Sequence, residues 1–203
     1  YLEAGLTAVY NYYDKLLNPV EKLYNCFEPR GRQFLNVGLH YKWFLSHRWM
    51  WAGETAIDRQ GAIATLNTIR YSPTVHTTWI LINRYYDKRY HSLLSNAWRE
   101  NSKTSNEAGI CIGLETKILQ SVNLSAYGDF FYFPWYRYQV DRRNTLGVSG
   151  NIQLSYSHPH SLGVLIRYGI KNKAKNHTLS DERKYVLPYI RQRVHAQVAY
   201  MPY

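Results

Sequence analysis

The chain has 203 residues, 45% of them hydrophobic, and its formal net charge of +11 comes from 25 Lys and Arg against 14 Asp and Glu. No run of about 18 apolar residues occurs, which excludes a transmembrane helix, and two cysteines, Cys26 and Cys111, are too few for a disulfide framework. Both read as small hydrophobes. The 20 Tyr and 6 Trp are more than a soluble core of this size needs, and both side chains favour interfaces where one end is apolar and the other wet. The excess of base points to an anionic partner in general. No basic, hydrophobic, small-residue leader opens the chain, so it reads as a mature piece or an internal fragment.

From the start, Leu2, Ala4, Leu6, Ala8 and Tyr10 alternate with Glu3, Gly5, Thr7, Val9 and Asn11. Period two predicts a strand. Residues 14–32, with Asn18-Pro19, Pro29 and Gly31, lose the alternation and predict a long loop. In a second strand Leu35, Val37, Leu39, Tyr41 and Trp43 oppose Asn36, Gly38, His40 and Lys42. After Ser46-His47, a third sets Trp49, Trp51, Thr55 and Ile57 against Met50, Ala52 and Glu54. A short turn at 58–61 leads to a fourth strand, 62–71, whose faces are undecided: Ile63 and Ile69 share one with Asn67, and Leu66 shares the other with Arg70. Tyr71-Ser72-Pro73 ends it. In the fifth, 75–85, consecutive Trp79, Ile80, Leu81 and Ile82 blur the pattern. The polar stretch 86–106 then predicts a loop of roughly twenty residues, a length that in a compact domain signals function.

The clearest unit is 107–133. Ala108, Ile110, Ile112 and Leu114 alternate with Glu107, Gly109, Gly113 and Glu115; after a short link, Val122, Leu124 and Ala126 oppose Asn123, Ser125 and Tyr127 and run into a dense aromatic tract. A loop from Phe133-Pro134-Trp135 to Asn144 precedes an eighth strand, in which Leu146, Val148, Ile152, Leu154 and Tyr156 oppose Gly147, Ser149, Asn151, Gln153 and Ser155. His158-Pro159-His160 is a tight turn. Leu162, Val164, Ile166, Tyr168 and Ile170 then face away from Gly163, Arg167, Gly169 and Lys171. A polar loop over 172–184 leads to the last strand, 185–200, where Val186, Ile190, Val194, Ala196 and Val198 oppose Arg191, Arg193, His195 and Gln197.

This makes about ten strands near the nine to eleven residues that cross a bilayer at a tilt, and no helix. Long and short links alternate, except that the link between the third and fourth strands is short where a long one is due. That rhythm belongs to an all-β, antiparallel up-and-down transmembrane β-barrel; Greek-key connections in a soluble sandwich do not produce it. Residues 1–203 are therefore expected to form one barrel domain or a segment of a larger barrel. A Lys or Arg facing lipid at mid-depth costs about 2–4 kcal/mol, whereas a lumen tolerates charge. His40, Lys42, Glu54, Glu107, Glu115, Arg167, Arg191, Arg193 and His195 are accordingly assigned to the lumen. Ile110, Ile112 and Leu114 are assigned to lipid, and residues 130–135 to the outer interface.

Residues 90–141 also carry a family resemblance. Asn96-Ala97-Trp98-Arg99-Glu100-Asn101, the Asn106-Glu107 strand entry, Gly113-Leu114-Glu115, and Tyr127-Gly128-Asp129-Phe130-Phe131 leading to Phe133-Pro134-Trp135 resemble the C-terminal barrel region of Bacteroidota outer-membrane proteins. In that family a helix-hairpin-helix (ComEA-like) module precedes the barrel. The resemblance extends more weakly to 185–200. It implies a barrel in the bacterial cell outer membrane. The helix-hairpin-helix module, which would imply a nucleic-acid link, lies outside this chain, so no DNA-binding residue is carried over, and the family supplies no catalytic motif.

No chemistry-bearing constellation stands out from the residues. His158 and His160 flank a proline but lack the spacing of a metal site and read as a wet turn. His40 and His195 read as lining residues rather than bases. Glu107 and Glu115 sit about 27 Å apart at 3.4 Å per residue, too far for a carboxylate pair. No G-x-S-x-G occurs, and neither enzymatic activity nor a cofactor is expected. The segment from Trp135 through Arg137 to Arg143 reads as an interfacial girdle touching lipopolysaccharide phosphates, ahead of a surface that stacks a nucleic acid strand. The expected role is a channel, or a membrane-embedded component of a transport or secretion assembly. Its partners would be outer-membrane lipid, lipopolysaccharide and other envelope proteins. Two alternatives stay open: a DNA-uptake port working with a helix-hairpin-helix module, and a soluble carbohydrate-binding β-protein whose Trp and Tyr stack sugars.

Overall fold

The structure is a computed structural model that describes residues 1–157, 162–178 and 184–200. Ten strands follow one another: β1 (Leu2–Leu17), β2 (Gly31–Phe44), β3 (Trp49–Asp58), β4 (Ile63–Thr74), β5 (Thr77–Tyr86), β6 (Glu107–Leu119), β7 (Val122–Phe133), β8 (Thr145–Ser157), β9 (Leu162–Thr178) and β10 (Lys184–Tyr200). All belong to one sheet in the order β1 to β10, each antiparallel to its neighbours in sequence. No helix occurs among the described residues. The all-β, up-and-down antiparallel architecture is thus present, but the sheet is not closed into a barrel: β1 pairs with β2 alone and β10 with β9 alone.

Several boundaries differ from those read from the sequence, for one physical reason. Polar residues end an alternating pattern before they end a ladder, because backbone pairing needs no apolar side chain. β1 therefore runs on to Leu17, through a register shift after Tyr12. Ser72-Pro73 lies inside β4 at another irregularity between Tyr71 and Thr74, a position where a missing N–H is tolerated. Residues 172–178, expected in a loop, continue β9 opposite β10. The turn at His158 and His160 and the terminal residues 201–203 lie outside the described residues.

The register fixes two faces and resolves β4. Leu66 pairs with Glu54 and Arg84, whereas Asn67 pairs with Gly53 and Asn83. Leu66 and Arg70 therefore share the face of His40 and Glu54, and Ile63, Asn67 and Ile69 share that of Trp51 and Leu81. The second of these faces is bare: Leu6, Leu39, Ile57, Ile110, Ile112, Phe130, Leu146, Ile152, Ile166, Ile190 and Val194 on it are all exposed. The other is covered at one end by the segments 87–106 and 134–144. Beneath them lie the buried Tyr86, Arg84, Glu107, Asp129, Phe131, Phe133 and Ser149. The aromatic tract expected as a whole at an outer interface thus divides by parity, with Phe130 on the bare face and Phe131 and Phe133 in the core, their rings 5.5 Å apart edge to face.

Phe131 needs a glycine beside it. It lies opposite Gly147 on β8, where a Cβ would come within 2.1 Å of the ring's Cε2. Gly147→Ala must displace a ring that is 2% exposed, and overpacking of this kind costs about 1–3 kcal/mol. Denaturant unfolding should show that loss for G147A, whereas Gly163→Ala, whose Cβ meets ordinary contacts at 3.8 Å, should leave the midpoint nearly unchanged.

Candidate functional site

Three charged side chains from adjacent strands meet under the segment 87–106. Arg84 on β5 lies opposite Gly109 on β6, and a Cβ at 109 would sit 2.5 Å from the guanidinium carbon. The missing side chain lets the guanidinium cross β6. Its Nε donates to Glu107 Oε1 at 2.6 Å, while Nη1 and Nη2 donate to the two Asp129 carboxylate oxygens at 2.7 and 3.0 Å. All three side chains are fully buried. Burying ions is unfavourable unless geometry and further hydrogen bonds compensate. Here the fork is bidentate, and Glu107 accepts three more bonds: from the Glu100 N–H at 2.9 Å to each oxygen and from the Asn101 N–H at 2.7 Å.

The cluster therefore latches a loop as well as pairing charges. The segment 87–106 leaves β5 where the Asp87 N–H donates to Ile63 O. It is held toward β2 and β3 by the Asn36 side chain donating to His91 O at 2.7 Å and the His91 N–H donating to Asp58 Oδ2 at 3.1 Å. Tyr86 OH donates to Trp98 O at 2.8 Å, and the Trp98 ring meets Tyr127 on β7. Farther across, Glu100 pairs with Lys171 on β9. The loop returns at Asn106, whose positive φ of 56° suits asparagine; its side chain accepts from the Trp135 N–H at 2.7 Å and donates to the Trp135 and Tyr136 carbonyls. One side chain ties the two covering segments together.

The second segment brings base. The Arg137 guanidinium lies 3.8 Å over the Phe133 ring, and burial pushes its pKa down to about 10 against the pull of Glu107 and Glu100, so it stays charged at neutral pH. Trp135 stands between Lys88 and Arg143, at 4.6 and 4.8 Å, and packs on Phe27. This basic aromatic segment, expected as a girdle, packs instead against the loops at 18–30 and 87–106.

The register puts His40, Lys42, Glu54, Glu107, Glu115, Arg167, Arg191, Arg193 and His195 all on the covered face. It does not gather them: Glu107 is sealed in the cluster, while Glu54, Glu115, Arg191 and Arg193 lie exposed. Sequence reasoning missed Arg84 and Asp129, the partners of Glu107. The available signal was an isolated charge inside each of two otherwise apolar or aromatic runs, but the blurred alternation of β5 hid which face Arg84 takes. Both carboxylates are committed to Arg84, so the cluster offers neither a free base nor a nucleophile. Cys26 and Cys111 are both free thiols, and among the described residues no group of three His, Cys, Asp or Glu could hold a metal ion. Comparison with protein-family models, with curated proteins and with solved structures gives no match.

Removing Arg84 leaves two buried carboxylates without a cation. Arg84→Met should cost about 3–5 kcal/mol in denaturant unfolding, whereas R84M/E107Q/D129L together should recover most of that loss, because the uncompensated buried charges are gone while the residue 107 side-chain oxygen still accepts from the Glu100 and Asn101 amides. A triple variant as unstable as R84M would contradict the account. His91 supplies a pH dependence. Burial lowers its pKa against the opposing pull of Asp58. The folded state therefore resists protonation more than the unfolded chain, and loop stability, full above about pH 6.5, should fall as pH drops below that ordinary histidine value. Protection factors of the 91–101 amides, exchange rates corrected for the intrinsic pH dependence, should fall between pH 7 and 5 in wild type and change less in His91→Gln.

Proposed function

We propose that the chain forms part of the wall of a bacterial outer-membrane β-barrel, acting as a channel or as the membrane-embedded component of a transport or secretion assembly. The observation that carries this reading is the chemistry of the bare face. Over 2–12, 33–43, 49–57, 63–71, 77–85, 108–114, 122–132, 146–156, 162–172 and 186–200, no position that the register assigns to that face is Asp, Glu, Lys or Arg. In water such a face is an aggregation hazard. In lipid it is what the solvent requires.

Two further features support it. Aromatics crowd the short-turn end of the bare face, where Trp49 stacks on Tyr71 at 4.2 Å and Trp51 lies near Tyr41 and Trp43, and Tyr10, Tyr12, Tyr85 and Tyr132 lie toward the other end. Trp79 and Tyr85 are six residues apart on β5, about 20 Å at 3.3–3.4 Å per residue, comparable with an apolar band between aromatic girdles. Four neighbouring polar side chains within that band also bond one another. Tyr41 OH bonds Asn67, whose amide donates to Thr65 Oγ1 at 3.0 Å, and Thr65 bonds Thr55 at 2.9 Å. Hydrocarbon demands that economy, since it offers no partner of its own. On this reading the unpaired edges of β1 and β10 are completed by pairing with each other or with further strands.

Two measurements test the proposal. Detergent-folded protein should migrate differently on a gel before and after boiling, and a fluorophore on I112C should be quenched by lipid-soluble quenchers far more than one on G113C. Identical mobility, solubility without detergent, or equal quenching at 112 and 113 would overturn it.

A further inference from the structure

At one side of the covered face the sequence keeps acids away. Among the described residues β8, β9 and β10 contain no Asp or Glu. Pairing sets Arg191 directly against Lys171; like charges so paired destabilise a sheet. Lys173 follows Lys171 on the same face about 7 Å along the strand, and its partner on β8 is Gly147, which offers no side chain. Arg137 reaches the same place from the segment above. Its Nη2 lies 3.5 Å from both Thr145 Oγ1 and Ala174 O, and its Nε is buried without a hydrogen-bond partner. Glu100, paired with Lys171, is the acid that enters this group. Lys171, Lys173, Arg137 and Arg191 thus form a group of four cations with one ion-paired carboxylate among them, an excess of three positive charges (4 − 1). Arg84, by contrast, has Nε, Nη1 and Nη2 engaged by carboxylates and only two cluster acids to satisfy.

We propose that Arg137, Lys171, Lys173 and Arg191 form a binding site for a multivalent oxyanion of the phosphate class, carried by a small solute, between β9–β10 and the segment 134–144. A phosphate group brings several acceptor oxygens and close to two negative charges. It can take two ammonium groups and the exposed Arg191 guanidinium, with Arg137 adding its charge from above, and relieve the opposed pair Lys171 and Arg191. Lys171, Lys173 and Arg137 are half-buried and Arg191 is exposed, so the group is enclosed enough to strengthen the interaction and open enough to admit a solute. The inference rests on the barrel reading only for its meaning, an anion held at the inner wall; the site itself is fixed by the register.

Inorganic pyrophosphate is the probe. Isothermal titration of the full chain, folded in a neutral detergent, should show saturable binding that weakens at least about tenfold, about 1.4 kcal/mol, in K173Q/R191Q and in R137Q. E100Q should bind more tightly, and K117Q, on the same face but at the short-turn end, should bind as wild type does. Circular dichroism of each variant checks folding, and the milder K173Q alone should still weaken binding about threefold. Absence of saturable binding to the wild type, or equal affinity in all variants, would overturn the site. So would binding to vesicles containing phosphatidylglycerol without binding to pyrophosphate, which would make the source a lipid headgroup. Gel mobility before and after boiling is read on the same samples, so the barrel reading can fail while the anion site stands, and the reverse.

Discussion

Everything in this sheet depends on parity. Side chains alternate strictly along a strand, so a slip of one residue in any ladder exchanges the two faces of that strand. In β9 such a slip would move Arg167, Lys171 and Lys173 onto the face now held by Ile166, Tyr168 and Ile170. Because neighbouring strands share faces through their pairing, the segregation of charge has to hold over ten strands at once, and no local compensation repairs a single error. The irregularities fall where this constraint is weakest, at the strand ends near Tyr12, Tyr71 and Lys117.

Parity also explains why the buried charges are arranged as they are. A covered face that collects the charged residues of the strands' central spans brings some of them beneath its loops, and each must find a partner there. Arg84, Glu107 and Asp129 do so with one negative charge left over, which the Glu100 and Asn101 amides meet. Those amides belong to the loop, so loop position and charge compensation become one requirement. The cluster is better understood as the peg that seats 87–106 across the covered face than as a reactive centre, since all three side chains are fully buried and their polar atoms are engaged by one another and by the loop.

Much of the architecture was legible because alternation survives wherever one face is apolar. The ten strands, their order and the face of each candidate residue came from that pattern alone; the rhythm of the links, and then the resemblance of 90–141, led on to a barrel that the open sheet does not itself close. What stayed hidden had no periodic signal. The end of β1 loses its alternation at Asp14-Lys15-Leu16-Leu17, where the ladder to β2 is irregular until Leu17 meets Gly31, and the end of β9 is largely polar on both faces, so Asn172 to Thr178 look like loop although their backbones are paired. In β5 the covered face holds Ile80 and Ile82 beside Arg84, which made both faces look apolar. The meeting of Arg84, Glu107 and Asp129 depends on residues 23 and 45 positions apart coming into register, and no single-strand pattern contains that information.

The open edges set the next physical question. β1 and β10 run in opposite directions, because ten antiparallel strands in sequence order alternate direction at each step. Antiparallel closure can therefore join these two edges directly, or through any even number of intervening strands; an odd number would force one parallel pair. The bare-face side chains at both edges, Leu6 and Ala8 on β1 and Val194 and Val198 on β10, are as apolar as those at the centre, and neither edge carries the outward Lys or Pro that soluble sheets place along the middle of a free strand to prevent pairing. Pro188 on β10 is opposite Ala174, toward the loop end, and leaves the run from 189 to 200 with its full complement of N–H donors. Both edges are built as interior strands are, a composition that fits the closure proposed above.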